Sequence, residues 1–548
     1  MIVPRSPGRN AFAFSAVVFL RLLAFVHVIA FASAWVQIGG LIGPHGVAPA
    51  GAYLAAAHRQ LGDSAYLDLP TLCWIFGTGA FLTVLCAAGV FVALLLFAGI
   101  APVPCLLLLW AGYLSLVNAG QMFFAFQWDG LLLETTLLAI FVAPWRLVPR
   151  WHLHEPPELA RLLVWWLLFR LMFLAGVVKL ASGDPTWRNL TALTYHFETQ
   201  PLPTPLAWYA QQLPAWWQRT ECAIMFAIEL GAPFLIFLPR MFRHAGALIL
   251  AGFMGVIALT GNYTFFNALA VVLCLFCLDD AWWQRLLRLE SSAVANASRT
   301  SARSDVSSRT AAADPATFAP ADSSAPSERT LDGVTPPISG VTHPFRHPRM
   351  WRGFRGEPKE RWCRWLLHGF ALFAFGYTGA EVLMVLLPSL GAPPGFAPVA
   401  TFVEPLRSFN SYGLFAVMTH PRMELIIEGS NDGREWREYG FPAKPGDVSI
   451  RPRFVAPYQP RLDWQLWFAA LETPDQNPWV LSLCEDLLRG RPAVLSLLAK
   501  NPFPRHPPKY VRVIRYEYHF TDWDIRARTG HWWRRTPVDV YVAPVSLR

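Results

Sequence analysis

Between two membrane-length apolar segments, residues 181–220 read ASGDPTWRNLTALTYHFETQPLPTPLAWYAQQLPAWWQRT. The stretch gathers Asp184, Trp187, Arg188, His196, Glu198, Trp216 and Trp217. His196 and Glu198 set an imidazole two residues from a carboxylate, a combination suited to general-base work or to a pH-sensitive contact. No Ser or Cys nucleophile with a matched orienting group accompanies them, so acyl-transfer chemistry is not implied. Asp184 followed by Pro185 predicts a capped short helix, with Pro at its first position. The PLPTPLAWY run at 201–209 suits an extended segment lying on a membrane face. Trp208, Tyr209, Trp216 and Trp217 suit the interfacial aromatic belt, or, as the sharper alternative, a lip that binds a polypeptide.

A second set of candidates lies inside the apolar segments, where a charge is costly unless it is paired or faces protein or water. Arg21, His27, Asp129, Glu134, Arg170, Lys179 and Glu229 carry opposite signs on different segments and predict an internal polar network. Its leading role is to fix helix packing; catalysis or transport by part of it is the narrower reading. Asp129 and Glu134 are five residues apart, which turns them about 140° around a helix, so a shared carboxylate site gains no support. Cys274 and Cys277 form a C-x-x-C spacing inside an apolar run, where a small hydrophobic role is expected. There is no P-loop, dinucleotide fingerprint, HExxH or nucleophile elbow. No metal or cofactor is expected.

The elements that must position these residues follow from composition. The chain has 548 residues, 54% of them hydrophobic and only 15% charged. Apolar segments at 11–34, 72–99, 102–118, 130–143, 159–180, 221–238, 245–260, 263–278 and 366–388 approach the ~20 residues needed to cross a bilayer core. They predict eight or nine spans, the shorter ones tilted or partly re-entrant. Arg5, Arg9, Arg146, Arg150, Arg161, Arg240 and Arg243 all fall on the cytoplasmic side if the N-terminus is cytoplasmic and nine spans follow. Residues 35–70, 181–220 and those after 389 then share the opposite face. These flanks account for the net charge of +9, and no basic stripe with interleaved aromatics points to nucleic acid.

Residues 1–285 thus form a multi-span domain with its exterior loop at 181–220. Residues 286–345, rich in Ser, Ala, Thr, Pro and Arg, read as a disordered cytoplasmic linker. A final span lies within 346–390. From 400 to 548 the texture is β-rich: 414–419, 424–430 and 464–471 look strand-like, Asn431-Asp432-Gly433 signals a turn, 479–499 looks helical, and 510–520 alternates as a long strand. The expected architecture is a polytopic α-helical membrane protein with a C-terminal β-rich, β-sandwich-like exterior domain.

Several long phrases in colinear order carry a family likeness: QWDGLLLET at 127–135, KLASGDPTWRNLTALTYHFETQPLPTPLAWY at 179–209, GNYTFFN at 261–267, FNSYGLFAVMT at 409–419, IIEGSNDGREWREYGF at 426–441, DWQLWFAAL at 463–471 and YVRVIRYEYHFTD at 510–522. In these the chain resembles the lipase maturation factor family over nearly its whole length. The resemblance implies a membrane-resident folding or assembly factor. In vertebrates such factors sit in the endoplasmic reticulum, support maturation of dimeric secreted lipases, and direct a client-binding C-terminal region to the lumen. Trp187, Arg188, His196, Glu198, Trp436, Tyr439 and Trp464 become candidates for contacting a secreted client, by extension a lipase, beside membrane lipids. The Arg-heavy composition and the absence of a retention signal in PVSLR suggest a bacterial member. The C-terminal domain would then be periplasmic at the inner membrane; in a eukaryote it would be lumenal at the endoplasmic reticulum membrane. The membrane part is also distantly similar to that of vitamin K-dependent carboxylases. That keeps an integral membrane enzyme as the alternative, with Lys179 or His196 as base in an enclosed polar cavity, acting on a lipidic or peptide substrate.

Overall fold

In hydrocarbon a backbone amide has no partner but its own helix, so the apolar runs are helical. The computed structural model describes residues 11–148, 154–287 and 358–547. Its helices used below are α1 (Ala13–Trp35), α2 (Ala80–Ala98), α3 (Pro102–Ala119), α4 (Gln127–Val142), α5 (Glu158–Ala181), α6 (Pro185–Arg188), α7 (Leu193–Thr199), α8 (Pro205–Gln211), α9 (Ala215–Leu235), α10 (Arg240–Thr260), α11 (Phe266–Leu275) and α12 (Pro358–Leu386). Six of them (α1, α2, α3, α5, α10 and α12) are long and apolar enough to cross a membrane. A seventh is counted if α11 and the helix Asp280–Leu287, bent by 101° at their break, form one span. The chain is a multi-pass membrane protein.

Eight or nine spans were expected, and the shortfall has two causes. Helix α4 has only 16 residues, and α9 mixes Arg219, Glu221 and Glu229 into its apolar sequence. Both nonetheless run between the same two ends of the bundle. At one end Phe12 N donates to Glu155 at 3.0 Å, Ala101 N to Leu147 O at 2.7 Å, and Arg240 pairs with Asp279. The other end gathers the loop 181–220, residues 37–48, residues 260–264 and the chain after residue 404.

The C-terminal region adds helices α13 (Arg461–Leu471) and α14 (Trp479–Leu488) to one antiparallel sheet. Its strands are β1 (Arg422–Ser430), β2 (Arg437–Glu438), β3 (Tyr510–Phe520) and β4 (Trp533–Val545), in the order β2-β1-β3-β4. Ile426 faces Ile514 and Glu428 faces Arg512 across the central pair. Helix α13 lies against β1 and α14 against β3. Helices therefore cover this sheet where a sandwich would place a second sheet, and none is present among the described residues.

Two expected strands take other forms. Residues 464–471 belong to α13, which is buried on nearly every side, so its run of aromatic and apolar residues shows neither a helical nor an alternating period. Residues 414–419 form no strand, because Phe415 sits at a φ of 56°, in the left-handed region that extended backbone excludes. The expected strand at 510–520, the turn after Ser430 and the helix opening at Pro185 are all present. The expected linker at 286–345 lies outside the described residues, apart from its first two positions.

One continuous buried cluster runs from Phe19 and Leu131 in the bundle to Trp464, Leu483 and Val511 in the C-terminal region. Bundle and C-terminal region thus share a core.

Candidate functional site

The 181–220 loop folds into α6, α7 and α8 and is held against the C-terminal region along its length. Asp184 caps α6, its Oδ1 accepting from Thr186 N at 2.8 Å, while Oδ2 accepts from Met418 N at 2.6 Å. Burial would raise this carboxyl, but the hydrogen bonds from Met418 and Thr186 outweigh it and hold the group below the usual range. Trp187 is 2% exposed and donates its indole N–H to Phe415 O at 3.0 Å. Glu198 accepts from His519 Nδ1 at 2.8 Å and from Phe520 N at 2.7 Å. Its backbone carbonyl, with those of Gln200 and Pro201, receives the guanidinium of Arg422, which also pairs with Glu424 at 2.6 Å. Trp467 of α13 donates to Thr199 O at 3.1 Å.

Below this seam the intramembrane charges form separate pairs, not one network. Asp129 is paired by Arg461, whose two terminal nitrogens reach its two oxygens at 2.9 and 3.0 Å, and Tyr113 donates to the same carboxylate at 2.5 Å. Arg461 also donates to Phe123 O at 2.6 Å and lies 3.6 Å from the centroid of the Phe124 ring. Glu134 takes Arg170 on one oxygen; the other accepts from Tyr412 at 2.6 Å and from the Asn410 backbone at 3.2 Å. Lys179 meets both oxygens of Glu229 at 2.8 Å. His27 reaches Thr136 Oγ1 at 2.7 Å, and Arg21 makes no ion pair among the described residues. Asp129 and Glu134 take different partners, as their angular separation implies.

Beside the Lys179–Glu229 pair lies a cavity of about 370 Å³ between α5, α9 and α10, closed toward the loop by Trp187, His196, Phe197, Tyr263 and Phe415. Leu171, Met172, Ile228, Phe253, Met254 and Ile257 supply much of its apolar wall. The proton on His196 can be placed from its neighbours. Gln200 gives its amide nitrogen to Phe197 O and Thr260 O, so its oxygen accepts from Tyr263 at 2.9 Å. With the tyrosine proton committed there, His196 donates to the phenol from Nε2 at 3.2 Å. Its Nδ1 is then a buried acceptor with no partner among the described residues. Burial first, and the Lys179 charge second, push this imidazole down to about 4, so it is neutral at pH 7.

The residues singled out from sequence divide sharply. Trp187, Tyr439 and Trp464 are buried and shape the surface from beneath. His196 and Glu198 bond within the chain, the one above the cavity and the other to the sheet. Arg188 is exposed, and Trp436 is half-buried under the guanidinium of Arg512. Sequence reasoning missed Arg422, Arg461, Asn410, Tyr412 and Tyr263. Partners for the span carboxylates were sought within the spans, whereas Asp129 finds its partner 332 residues away. The available signal was that Tyr263, Asn410 and Tyr412 stand inside the long family phrases. Among the described residues no group of three or more His, Cys, Asp or Glu is placed to hold a metal ion.

These features define a multi-pass membrane protein whose C-terminal domain is docked, through buried ion pairs, onto one end of the bundle. Residues 14–285 match the family model described as the lipase maturation factor transmembrane domain, and residues 408–543 match the lipase maturation factor C-terminal domain. Lipase maturation factor 2 of Xenopus laevis is 36% identical, with 98% of this chain and 83% of that protein covered. Lipase maturation factor 2 of Homo sapiens is 37% identical over 96% of this chain and 82% of its own length. Lipase maturation factor 1 of Homo sapiens is 31% identical over 99% and 92%. No solved structure matches. The chain belongs to the lipase maturation factor family.

Proposed function

We propose that the protein is a membrane-anchored maturation factor for secreted proteins, lipases among them, that holds its client on the loop end of the bundle. One observation carries this reading. The loop 181–220 and the C-terminal domain are joined by Asp184, Glu198 and Arg422 into a single surface, so a client docking on either one is held at a fixed place above the membrane. Arg188 and Trp436 are the proposed contact residues, and Trp216 and Trp217 are exposed on the same loop as Arg188. Trp187, Tyr439 and Trp464 hold that surface in shape; His196 and Glu198 lock the loop. The surface faces the periplasm in a bacterial cell and the lumen of the endoplasmic reticulum in a eukaryotic one. A photocrosslinker placed at Arg188 or Trp436 in cells, followed by mass identification, tests the reading. Recurrent capture of a secreted lipase is expected; capture of no secreted polypeptide from either position would overturn it.

The membrane-enzyme reading is favoured by one feature, a cavity that brings Lys179, His196 and Glu229 together. Against Lys179 as base, its ammonium is held by both oxygens of Glu229. A neutral His196 with a bare Nδ1, and Glu221 with an unpartnered Oε2, are the groups in the cavity wall with an acceptor free to take a proton. Turnover of a lipid by the purified wild-type chain, abolished by His196→Gln, would establish that reading; no turnover would remove it.

A further inference from the structure

We infer that the cavity between α5, α9 and α10 is a binding site for a neutral, single-chain membrane amphiphile whose head carries hydroxyl donors, of the monoacylglycerol or fatty-alcohol kind. This goes beyond client binding and stands or falls separately from it.

The direction of entry comes from exposure. Ile224 and Val256 both line the cavity and are 54% and 59% exposed on the outer faces of α9 and α10. Along membrane helices such exposed side chains meet hydrocarbon, so the mouth between them opens sideways to lipid, not to water. Helix α10 is among the least buried of the membrane-length helices, with 28% of its apolar window covered by protein. Its companion wall is aliphatic and aromatic. An apolar cavity open to a bilayer is filled by what the bilayer supplies, an acyl chain. An apolar cavity of about 150 Å³ takes one benzene, so on the same scale 370 Å³ holds about fifteen carbons, enough for most of one chain and too little for two.

The head follows from the polar groups. They gather where α7 and the loop close the cavity: His196, Tyr263, Glu221 and Thr260 all line it. His196 Nδ1 and Glu221 Oε2 are buried and have no hydrogen-bond partner among the described residues. The imidazole nitrogen is an acceptor, and so is the Glu221 oxygen in the carboxylate form, so the missing partner is a donor. Lys179 and Glu229 neutralise one another, and the imidazole is uncharged, so no unpaired cation in the wall stands ready for a phosphate or a free carboxylate. A buried anion without a counter-charge is strongly disfavoured. Hydroxyls are the head chemistry that satisfies two orphan acceptors at no such cost. Lys179 keeps one N–H beyond the two directed at Glu229, a donor available to an ester carbonyl.

The test uses the full chain in phosphatidylcholine vesicles with a monoacylglycerol bearing a diazirine in its acyl chain. Label is expected on peptides containing Leu171–Ala175, Ile224–Glu229 and Phe253–Ile257. Unlabelled monooleoylglycerol should compete it away, whereas oleoyl lysophosphatidic acid at equal concentration should not. Ala175→Trp and Met225→Trp, which fill the cavity, should cut labelling about tenfold while label on outward residues such as Phe91 and Leu108 stays constant. Should either variant lose its melting transition, the competition between the two unlabelled lipids on the wild-type chain decides alone. Label spread evenly over the lipid-facing helices, or undiminished by monooleoylglycerol, would overturn the site. Stronger competition by the anionic lipid would overturn the assignment of its head.

Discussion

Replacing Arg461 should loosen the junction more than any other single change, and the amount can be worked from its contacts. Its guanidinium makes two hydrogen bonds to Asp129, one to Phe123 O and one to Tyr113, and stacks on Phe124, with neither charged side chain exposed. Arg461→Met strands a buried carboxylate with only the Tyr113 hydroxyl as donor. Asp129→Leu strands the guanidinium with one carbonyl, the Tyr113 hydroxyl oxygen and one ring. Removing one member of a buried pair costs roughly 3–5 kcal/mol, because the remaining charge is uncompensated. In the double variant no charge is left buried; only Tyr113 and the Phe123 carbonyl lose partners, at about 1–3 kcal/mol each. Two single losses sum to roughly 6–10 kcal/mol, whereas the double should lose about 2–6. A favourable coupling of a few kcal/mol is therefore expected from a double-mutant cycle. Equilibrium unfolding in mild detergent, monitored by tryptophan fluorescence, measures all four chains. A double variant as unstable as the sum of the singles would refute the pairing and, with it, the account of how the domain is held.

Three further outcomes follow from the seam. A Cβ on Gly413 would lie 2.8 Å from Val178 Cγ2 of α5, so Gly413→Ala should cost about 1–3 kcal/mol by overpacking; an unchanged midpoint in the same unfolding assay would show that the segment does not approach the helix. Asp184→Ala removes both the α6 cap and the acceptor for Met418 N, and should lower stability by about 2 kcal/mol and speed amide exchange at Met418. His519 is raised above its ordinary value, chiefly by its hydrogen bond to Glu198, with Glu517 adding to it and burial and Arg534 opposing. A raised histidine contributes stability that is full below the unfolded value of about 6.5 and is lost as pH rises through the folded value. Hydrogen exchange across residues 193–200, corrected for its intrinsic pH dependence, should therefore accelerate as pH rises above about 6.5, and His519→Gln should flatten that change.

The bundle was legible because hydrocarbon permits one backbone solution, and runs of Leu, Ala and Phe announce it. The short elements of the loop were legible where a local rule applied: Asp184 and Pro185 fix a helix start whatever surrounds them. Phrases without such a rule misled. The residues 464–471 carry strand-like aromatics, yet Trp464 and Trp467 face different neighbours around a helix buried on nearly every side. The sequence 414–419 looks extended until Phe415 takes a positive φ to bring its carbonyl under Trp187. Pairing was the least legible level. The ionisable residues of the spans could be recognised as needing partners, but that Arg461 should serve Asp129, and that Tyr412 and Asn410 should serve Glu134, depends on how the chain after residue 404 folds back on the bundle. The family phrases marked these positions without revealing that many of them hold the two parts together.

That the C-terminal domain is fused to the bundle, and not tethered to it, is tested most directly by cutting the chain between them. A protease site placed within residues 300–330 and cleaved after purification separates the bundle, α1 through α11, from α12 and the C-terminal domain in covalent terms. With an affinity tag on the N-terminal piece in mild detergent, both pieces should elute together and keep the melting transition of the intact protein. Release of the C-terminal piece into the flow-through, with the N-terminal piece still folded, would contradict the account.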